Sequence, residues 1–295
     1  MVLPSITLDA SPSTAARRQV LWIGSTAGVE LSLAHAAVAT QVDVNCFESP
    51  QAAVDAAPPA MFAILAADRP GRYTTSDALL LSRARPRMPI VSVASSLVDG
   101  RRRSGPPLPG IEEMPWHDLP GRCGWWLSAL DADMPIGLGL PATARREERL
   151  LESIDSIRRR AAGTGTSIDV AVAATRFDDV EPLCDLLALT GHRVANRQHG
   201  RPRLDESAGV LVWDIGDPHP DALAWLGLLA ANRPGLFIVL LDSFPRGDTT
   251  LAAVRAGAAA VLGRPVSLEA LAGTLSRRVR FPLSGVHNAL PSRPR

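Results

Sequence analysis

The chain has 295 residues, of which 46% are hydrophobic and 21% charged, and its net charge is +1. This composition is ordinary for a soluble globular protein, and it gives no overall electrostatic attraction to nucleic acid or to a membrane surface. The three cysteines are too few and too far apart for a zinc site or a disulfide framework. The length fits two α/β domains.

Neither a secretory signal nor a transmembrane segment is predicted. Residues 1–17 lack a basic start followed by an apolar run, and no apolar stretch reaches the roughly 18 residues that a spanning helix needs. We therefore expect a cytoplasmic protein with no membrane partner. Residues 1–17 and 282–295 are poor in large apolar side chains and are expected to be disordered.

Residues 18–131 alternate between short apolar runs and helical patterns, which indicates a first α/β domain. Ser49 and Pro50 fit the N-cap and the first position of one helix. Strands are predicted at residues 19–24, 41–47, 61–67, 89–95 and 112–115, and helices at residues 29–39, 50–56, 75–84 and 119–130.

After the fourth strand of this domain the expected helix is replaced by a loop rich in proline and glycine, Val98–Gly110. Its basic run Arg101–Arg103 lacks the aromatic interleaving of a nucleic-acid site, so nucleic-acid binding is not expected. Trp116, Trp125 and Trp126 form an aromatic cluster near the last helix. Two interpretations stay open: a local core, or a surface that binds a protein partner, since tryptophan is enriched in binding hot spots.

Residues 132–166 are predicted to link two domains. Asp133–Thr143 is rich in proline and glycine, and Ala144–Ala161 carries a narrow apolar stripe that includes Leu150 and Leu151. The stripe predicts an amphipathic helix. This helix either packs on a domain as a connector, or pairs with a second copy in a homodimer or with a helix of a partner, a use known for narrow stripes.

Residues 167–281 show the clearest alternation. Ile168–Ala174 is a short apolar run suited to a buried strand, Phe177–Thr190 has helical spacing, and Gly191 ends that helix. The polar segment Gln198–Ser207 predicts a loop where a second helix would stand. Buried strands alternating with helices indicate a parallel sheet covered on both faces. Further strands are predicted at residues 193–196, 209–213, 236–241 and 259–262, and helices at 220–232, 248–256 and 267–279.

One segment, Val254–Leu271, carries a family resemblance. It reads as a helix end, Gly257, a short buried strand, a turn at Arg264-Pro265 and a new helix. This pattern resembles the last third of a response-regulator receiver domain. The resemblance implies an α/β protein of two flavodoxin-like (βα)5 three-layer domains with parallel sheets, joined by a linker helix. In this interpretation residues 18–131 are a degenerate copy and residues 167–281 the better one.

The resemblance also implies where phosphoryl chemistry would lie. In the family, an aspartate that ends the third strand accepts the phosphoryl group, and a hydroxyl after the fourth strand and a lysine before the proline contact it. Asp214 takes the acceptor position. Asp242 or Ser243 falls at the hydroxyl position, and Arg264, which precedes Pro265, stands where the family has lysine; the chain contains no lysine.

Other groups that the family uses are missing. Its acidic pair, which holds Mg²⁺, falls on Ala174 and Thr175, so no metal site is predicted. Asp178 and Asp179 lie a few residues on and are expected to serve the dipole of the helix that follows. Arg264 could bind a phosphoryl group, or form a permanent ion pair with either Asp214 or Asp242.

In residues 18–131 the departure from the family is larger. The acidic pair falls on Gly24 and Ser25, and the acceptor falls on Ala66 or Ala67. The residue before Pro115 is methionine instead of lysine. Phosphotransfer is therefore not expected in this domain.

Three functions follow as hypotheses. The first is a non-catalytic pseudo-receiver, a signalling or scaffold protein that uses no cofactor and binds protein partners such as a histidine kinase or another signalling protein. The second is a phosphate-accepting response regulator without an output domain that uses Asp214. The third is a small-ligand-binding or enzymatic flavodoxin-like domain that uses the cleft at the strand ends.

Overall fold

The fold was analysed in a computed structural model that describes residues 18–56, 58–98, 108–132, 138, 140, 144–164, 167–205 and 207–280. The run Arg101–Arg103 and both chain ends, for which predictions were made above, lie outside the described residues. Among the described residues, no helix is both long and apolar enough to cross a membrane.

The N-terminal half, residues 18–132, is built on one parallel five-stranded sheet. Its strands are β1 (Gln19–Ile23), β2 (Asp43–Phe47), β3 (Ala63–Ala67), β4 (Ile90–Ala94) and β5 (Glu112–Pro115). Its helices are α1 (Val29–Ala39), α2 (Pro50–Ala56), α3 (Thr75–Ala84) and α4 (Leu119–Asp131). The strand order is β2-β1-β3-β4-β5, and a single 3₁₀ turn at Ser96–Val98 follows β4.

Both faces of this sheet are covered, as the apolar strands require. Val20 and Trp22 of β1 enter the core on one face, whereas Leu21 and Ile23 enter the core on the other. Successive side chains of a strand point to opposite faces, so a continuous apolar run needs helices on both sides. The result is a three-layer arrangement.

The C-terminal half, residues 167–280, repeats the plan. Its strands are β6 (Asp169–Ala174), β7 (Arg193–His199), β8 (Val210–Gly216), β9 (Phe237–Asp242) and β10 (Ala260–Gly263), in the order β10-β9-β8-β6-β7. Its helices are α6 (Val180–Leu189), α7 (Pro220–Asn232), α8 (Gly247–Arg255) and α9 (Leu268–Arg280). A 3₁₀ turn at Phe177–Asp179 precedes α6, where the sequence predicted continuous helix.

The loop between β7 and β8 contains no helix in its described residues, as predicted for Gln198–Ser207. Strand β7, however, continues to His199, three residues beyond its predicted end. The loop is fastened to α7, since the indole N–H of Trp225 donates to the carbonyl of Pro202 at 2.9 Å.

The two halves share one topology. In each, the first strand lies between the second and the third, and the fourth and fifth follow outward, which is the flavodoxin-like order. The predicted fold class, two flavodoxin-like (βα)5 units with parallel sheets, is confirmed.

Helix α5 (Arg146–Thr164) connects the halves and packs on both. Ile157 is buried in the core of the N-terminal half, while Ala161 fits against Gly191 of the C-terminal half. Leu150 and Leu151 remain 55% and 62% exposed. These contacts are those expected of a packed connector, and pairing with a second copy through the exposed leucines stays a hypothesis.

The halves also pack directly, through helices α4 and α9. The two helices approach closely at Gly121 and Gly273, where an added Cβ at either position would overlap backbone of the opposite helix. Glycine is required here because of this close approach. A second contact between the halves involves Glu30 in α1, whose carboxylate accepts from the backbone N–H of Gly247 at 3.2 Å. The same carboxylate accepts from the backbone N–H of Ser96, in its own half, at 2.6 Å.

A buried ionic cluster lies at this junction. Glu269 of α9 accepts hydrogen bonds from Arg122 Nε at 2.8 Å, Trp126 Nε1 at 3.2 Å and Ser153 Oγ at 2.6 Å. Arg122 also donates to Glu112 at 2.7 Å. Burial disfavours the Arg122 charge, but the carboxylates of Glu269 and Glu112 outweigh it and raise the pKa of Arg122. The cluster joins α4, α5 and α9.

The tryptophan cluster belongs to this core. Trp116, Trp125 and Trp126 are all buried, and Trp126 packs edge-on against Phe62 with ring centroids 5.5 Å apart. The interpretation of these tryptophans as a local core is confirmed. The alternative, a surface that binds a protein partner, is wrong because α5, α9 and the sheet of the N-terminal half cover these side chains.

Candidate functional site

The candidate site lies at the carboxyl edge of the C-terminal sheet. Asp214 sits near the end of β8, directly opposite Ala174, the last residue of β6, and Leu241 of β9. Its side chain is almost completely buried. This is the edge, between the first and third strands, where an open parallel sheet places ligands.

Arg264 reaches this edge from the turn after β10 and binds two carboxylates. Its Nη1 and Nη2 atoms donate to the two oxygens of Asp179 at 3.0 and 2.8 Å, a bidentate pair. The same Nη1 lies 2.9 Å from Oδ2 of Asp214. That oxygen has no well-aligned hydrogen-bond donor, so the contact with Asp214 is a close ion pair, while the aligned hydrogen bonds go to Asp179.

The two aspartates respond in opposite directions. The hydrogen bonds from Arg264 hold the pKa of Asp179 below its usual value. Burial raises the pKa of Asp214, against the opposing charge of Arg264 and the hydrogen bond that its Oδ1 accepts from Gly216 N–H at 3.1 Å. For Asp214, the cost of burying a charged carboxylate outweighs the attraction of the Arg264 guanidinium, so the net effect is a raised pKa.

Asp242 is the last residue of β9 and is also buried. Its Oδ1 accepts from the backbone N–H of Phe244 at 2.8 Å, and its Oδ2 has no hydrogen-bond partner. Burial raises its pKa. The carboxyl makes no ion pair with Arg264; the two residues are joined by a backbone hydrogen bond, in which the carbonyl of Asp242 accepts from Arg264 N–H at 3.0 Å. Of the two predicted partners of Arg264, the structure therefore brings only Asp214 to it.

The side chains at the remaining predicted positions have no carboxylate that could ligate a metal ion. Thr175 follows β6 and donates through its hydroxyl to the backbone carbonyl of Asp214 at 3.1 Å. Ser243 is exposed, and its backbone N–H donates to the carbonyl of Gly216 at 2.8 Å. Pro265 follows Arg264 through a cis peptide bond. Within the described part of the chain, no group of three or more His, Cys, Asp or Glu side chains could hold a metal ion.

A residue of the N-terminal half touches this edge. His117, between β5 and α4, accepts at Nδ1 from the backbone N–H of Gly263 at 3.2 Å. Gly263 is the last residue of β10 and directly precedes Arg264. The same Nδ1 lies 3.1 Å from Oδ1 of Asp118.

In the N-terminal half, Tyr73 occupies the corresponding edge. Its hydroxyl donates to the carbonyl of Ile23, 2.5 Å away, and lies 3.2 Å from the carbonyl of Ala66. Gly24, at a φ of +118°, leaves room for that hydroxyl. Burial raises the pKa of Tyr73 to about 12. The positions of the predicted acidic pair and acceptor are thus closed by a neutral aromatic side chain.

Sequence reasoning missed three of these residues. Asp179 was assigned to the helix dipole, because nothing in its local pattern indicates a residue 85 positions away. His117 follows Trp116 of the aromatic cluster and has no pattern of its own that indicates a partner in the other half. Tyr73 gave no signal, although it is the single tyrosine of the chain.

Several solved structures are similar to parts of this chain. No protein-family model matches the chain, and no curated protein matches its sequence. Among solved structures, a pilus assembly-related protein from Burkholderia pseudomallei is similar at 24% identity, with a TM-score of 0.36, over 40% of this chain and 92% of its own. A pilus assembly protein from Burkholderia thailandensis is similar at 26% identity, with a TM-score of 0.35, over 38% of this chain and 98% of its own.

One similar structure extends over both halves. A two-component response regulator/GGDEF domain protein aligns with 89% of this chain and 98% of its own at 13% identity, with a TM-score of 0.35. Further similar structures are receiver domains of response regulators. The predicted likeness of fold to receiver domains rests on the strand order of the two sheets, which is the flavodoxin-like order.

Proposed function

We propose that the protein is a non-catalytic pseudo-receiver, a signalling or scaffold protein that acts by binding other proteins. The observation that carries the proposal is the ion cluster of Asp179, Arg264 and Asp214. In this cluster the carboxylate at the acceptor position is already paired with a permanent cation.

Two physical reasons argue against a phosphoryl group on Asp214. The Arg264 guanidinium, 2.9 Å from Oδ2 of Asp214, lowers the nucleophilicity of the carboxylate that would have to attack. Phosphoryl transfer also depends on Mg²⁺ to neutralise the transferring group, and that ion binds oxygen ligands, above all carboxylates. The positions beside Asp214 carry Ala174 and Thr175, and both oxygens of Asp179 are bound to Arg264.

The same interpretation extends to the N-terminal half and to the division of the chain. Tyr73 closes its strand edge with a hydroxyl that donates to the backbone carbonyl of Ile23, which supports a structural role for that half. We assign residues 18–131 and 167–281 to the two receiver-like domains and residues 132–166 to the linker between them.

The test is exposure of the full chain to Mg²⁺ with beryllofluoride, or with a small phosphodonor. We expect an unchanged intact mass and unchanged amide NMR shifts, under conditions in which a receiver with an intact acidic pair reacts completely. A stoichiometric phosphoryl adduct that disappears in Asp214→Asn would overturn the proposal in favour of a phosphate-accepting regulator.

The third hypothesis, a ligand-binding or enzymatic domain, is tested separately. A thermal-shift screen with nucleotides and common cofactors should leave the melting temperature unchanged, because the carboxylates at the strand edge are paired or buried. Specific stabilisation by one ligand class, lost in Arg264→Ala, would support that hypothesis against ours.

Self-association through α5 is one form that partner binding could take. Leu150 and Leu151 are exposed on the first turns of this helix. If a homodimer forms there, light scattering should give twice the chain mass for the natural protein and the chain mass for a Leu150→Glu/Leu151→Glu variant. A monomer at high protein concentration would exclude this mode, and protein capture from the native cell would then identify a different partner.

A further inference from the structure

The boundary between the halves runs directly beside the ion cluster. His117 belongs to the N-terminal half, and its side chain is only 8% exposed. Its ring lies against Gly263, where an added Cβ would overlap the imidazole. Only glycine leaves room for this ring, so the contact depends on a matched pair of residues, one from each half.

The backbone that carries Arg264 is held on two sides. On one side Gly263 N–H donates to Nδ1 of His117 at 3.2 Å. On the other side Arg264 N–H donates to the carbonyl of Asp242 at 3.0 Å. From this fixed point the guanidinium extends to Asp179 and Asp214. The N-terminal half therefore contributes one of these two hydrogen bonds, which together fix the position of the Arg264 backbone.

We infer that His117 is a positioning residue for the Arg264 ion cluster, so that the N-terminal half keeps the acceptor aspartate of the C-terminal half paired. The inference rests on the proposed function, because it concerns the same ion cluster. It adds that the paired state of Asp214 is a joint property of both halves. Helices α4 and α9, which cross at Gly121 and Gly273, hold the halves in the required arrangement.

The geometry also specifies the state of the His117 ring. Nδ1 lies within hydrogen-bond distance of both Gly263 N and Asp118 Oδ1, but one nitrogen cannot accept from the first while donating to the second. The bond from Gly263 requires an unprotonated Nδ1 and a proton on Nε2. The carboxyl of Asp118 lies beside Nδ1, and that of Asp242 in β9 is near enough to interact electrostatically with the ring.

Two variants of the full chain separate positioning from mere packing. His117→Leu fills a similar volume and removes the acceptor, whereas His117→Asn keeps a side-chain carbonyl that can accept near the place of Nδ1. Ser153→Ala is the matched control, because it removes a hydrogen bond at the same junction, to Glu269, without contacting Gly263. The readout is the pKa of Asp214, followed by carboxyl ¹³C NMR and assigned with Asp214→Asn.

In His117→Leu we expect the pKa of Asp214 to rise by about one unit, since a close opposite charge ordinarily lowers a carboxyl pKa by about 1–3 units and part of that effect is lost. His117→Asn and Ser153→Ala should keep the natural value. An unchanged pKa in folded His117→Leu, or an equal rise in Ser153→Ala, would overturn the inference.

A second measurement needs no variant. In the natural protein, ¹⁵N NMR should show His117 with its proton on Nε2 and Nδ1 as an acceptor. A proton on Nδ1, donated to Asp118, would overturn the inference even if His117→Leu failed to fold. Both results are independent of the phosphodonor experiment: phosphorylation of the natural protein refutes the proposed function, whereas an Nδ1–H tautomer refutes only the positioning role.

Discussion

Removal of the Glu269 carboxylate should be the most damaging single change at the junction of the halves. Glu269 accepts hydrogen bonds from Arg122, Trp126 and Ser153, which belong to two different helices. The Glu269 side chain is 4% exposed and that of Arg122 is 11% exposed. In Glu269→Ala, Arg122 would stay buried with one carboxylate, that of Glu112, instead of two.

The magnitude follows from this geometry. Removing one partner of a buried ion pair costs about 3–5 kcal/mol, because the remaining charge is left desolvated. Glu112 still compensates part of the Arg122 charge, so we expect the lower end, about 3 kcal/mol. A typical domain has a free energy of unfolding of about 5–15 kcal/mol, so this loss is a large fraction of the total.

Urea unfolding followed by tryptophan fluorescence measures this loss. The control is Glu181→Ala, which removes a 2.8 Å pair with Arg197 in which both side chains are more than half exposed; such surface pairs contribute about 0–1 kcal/mol. If Glu269→Ala lowers the free energy of unfolding no more than Glu181→Ala does, the buried cluster does not hold the halves together and the reasoning is refuted.

Three further predictions test other parts of the structure. Gly273→Ala should cost about 1–3 kcal/mol in unfolding experiments, because its Cβ would overlap the backbone of α4, whereas Gly227→Ala, with open space around it, should be neutral or stabilising; equal effects would contradict the close helix crossing. Absorbance at 295 nm should show Tyr73 ionising near pH 12, and its burial should stabilise the fold below about pH 10 and lose this effect as the pH rises toward 12; ionisation near pH 10 in the folded protein would show that the hydroxyl is not buried. Arg264→Gln should raise the pKa of Asp214 further, since the Arg264 charge now lowers it. Carboxyl ¹³C NMR measures this pKa, and an unchanged value would show that Arg264 does not pair with Asp214.

Much of the fold could be predicted because its signals are local. Strand β5 and helix α3 were predicted with their observed bounds, since apolar runs, capping residues and prolines are read within a few residues. Strand β7 was predicted too short, because its last three residues are polar and follow the sheet only through pairing with β6. The residue types in this extension do not indicate a strand.

The site was predictable to a smaller extent. Asp214 and Arg264 could be named from the resemblance, since each sits at a defined place relative to a strand end. Asp179 could not, because its partner comes from the opposite end of the half-chain. His117 could not either, as its role depends on how α4 crosses α9, and that crossing is specified by two glycines that look unremarkable in sequence.

The sequence by itself determined the alternation of buried strands and helices, and with it the class of fold, because burial on both faces of a strand leaves a direct trace in residue type. It also determined that the acidic pair is absent. Only the tertiary structure decided that Arg264 is shared between Asp179 and Asp214. It also decided that His117 accepts a hydrogen bond from the backbone of Gly263, the residue before Arg264. Ion pairs and helix crossings join residues far apart in the chain, and their geometry exists only after the sheets and helices have packed.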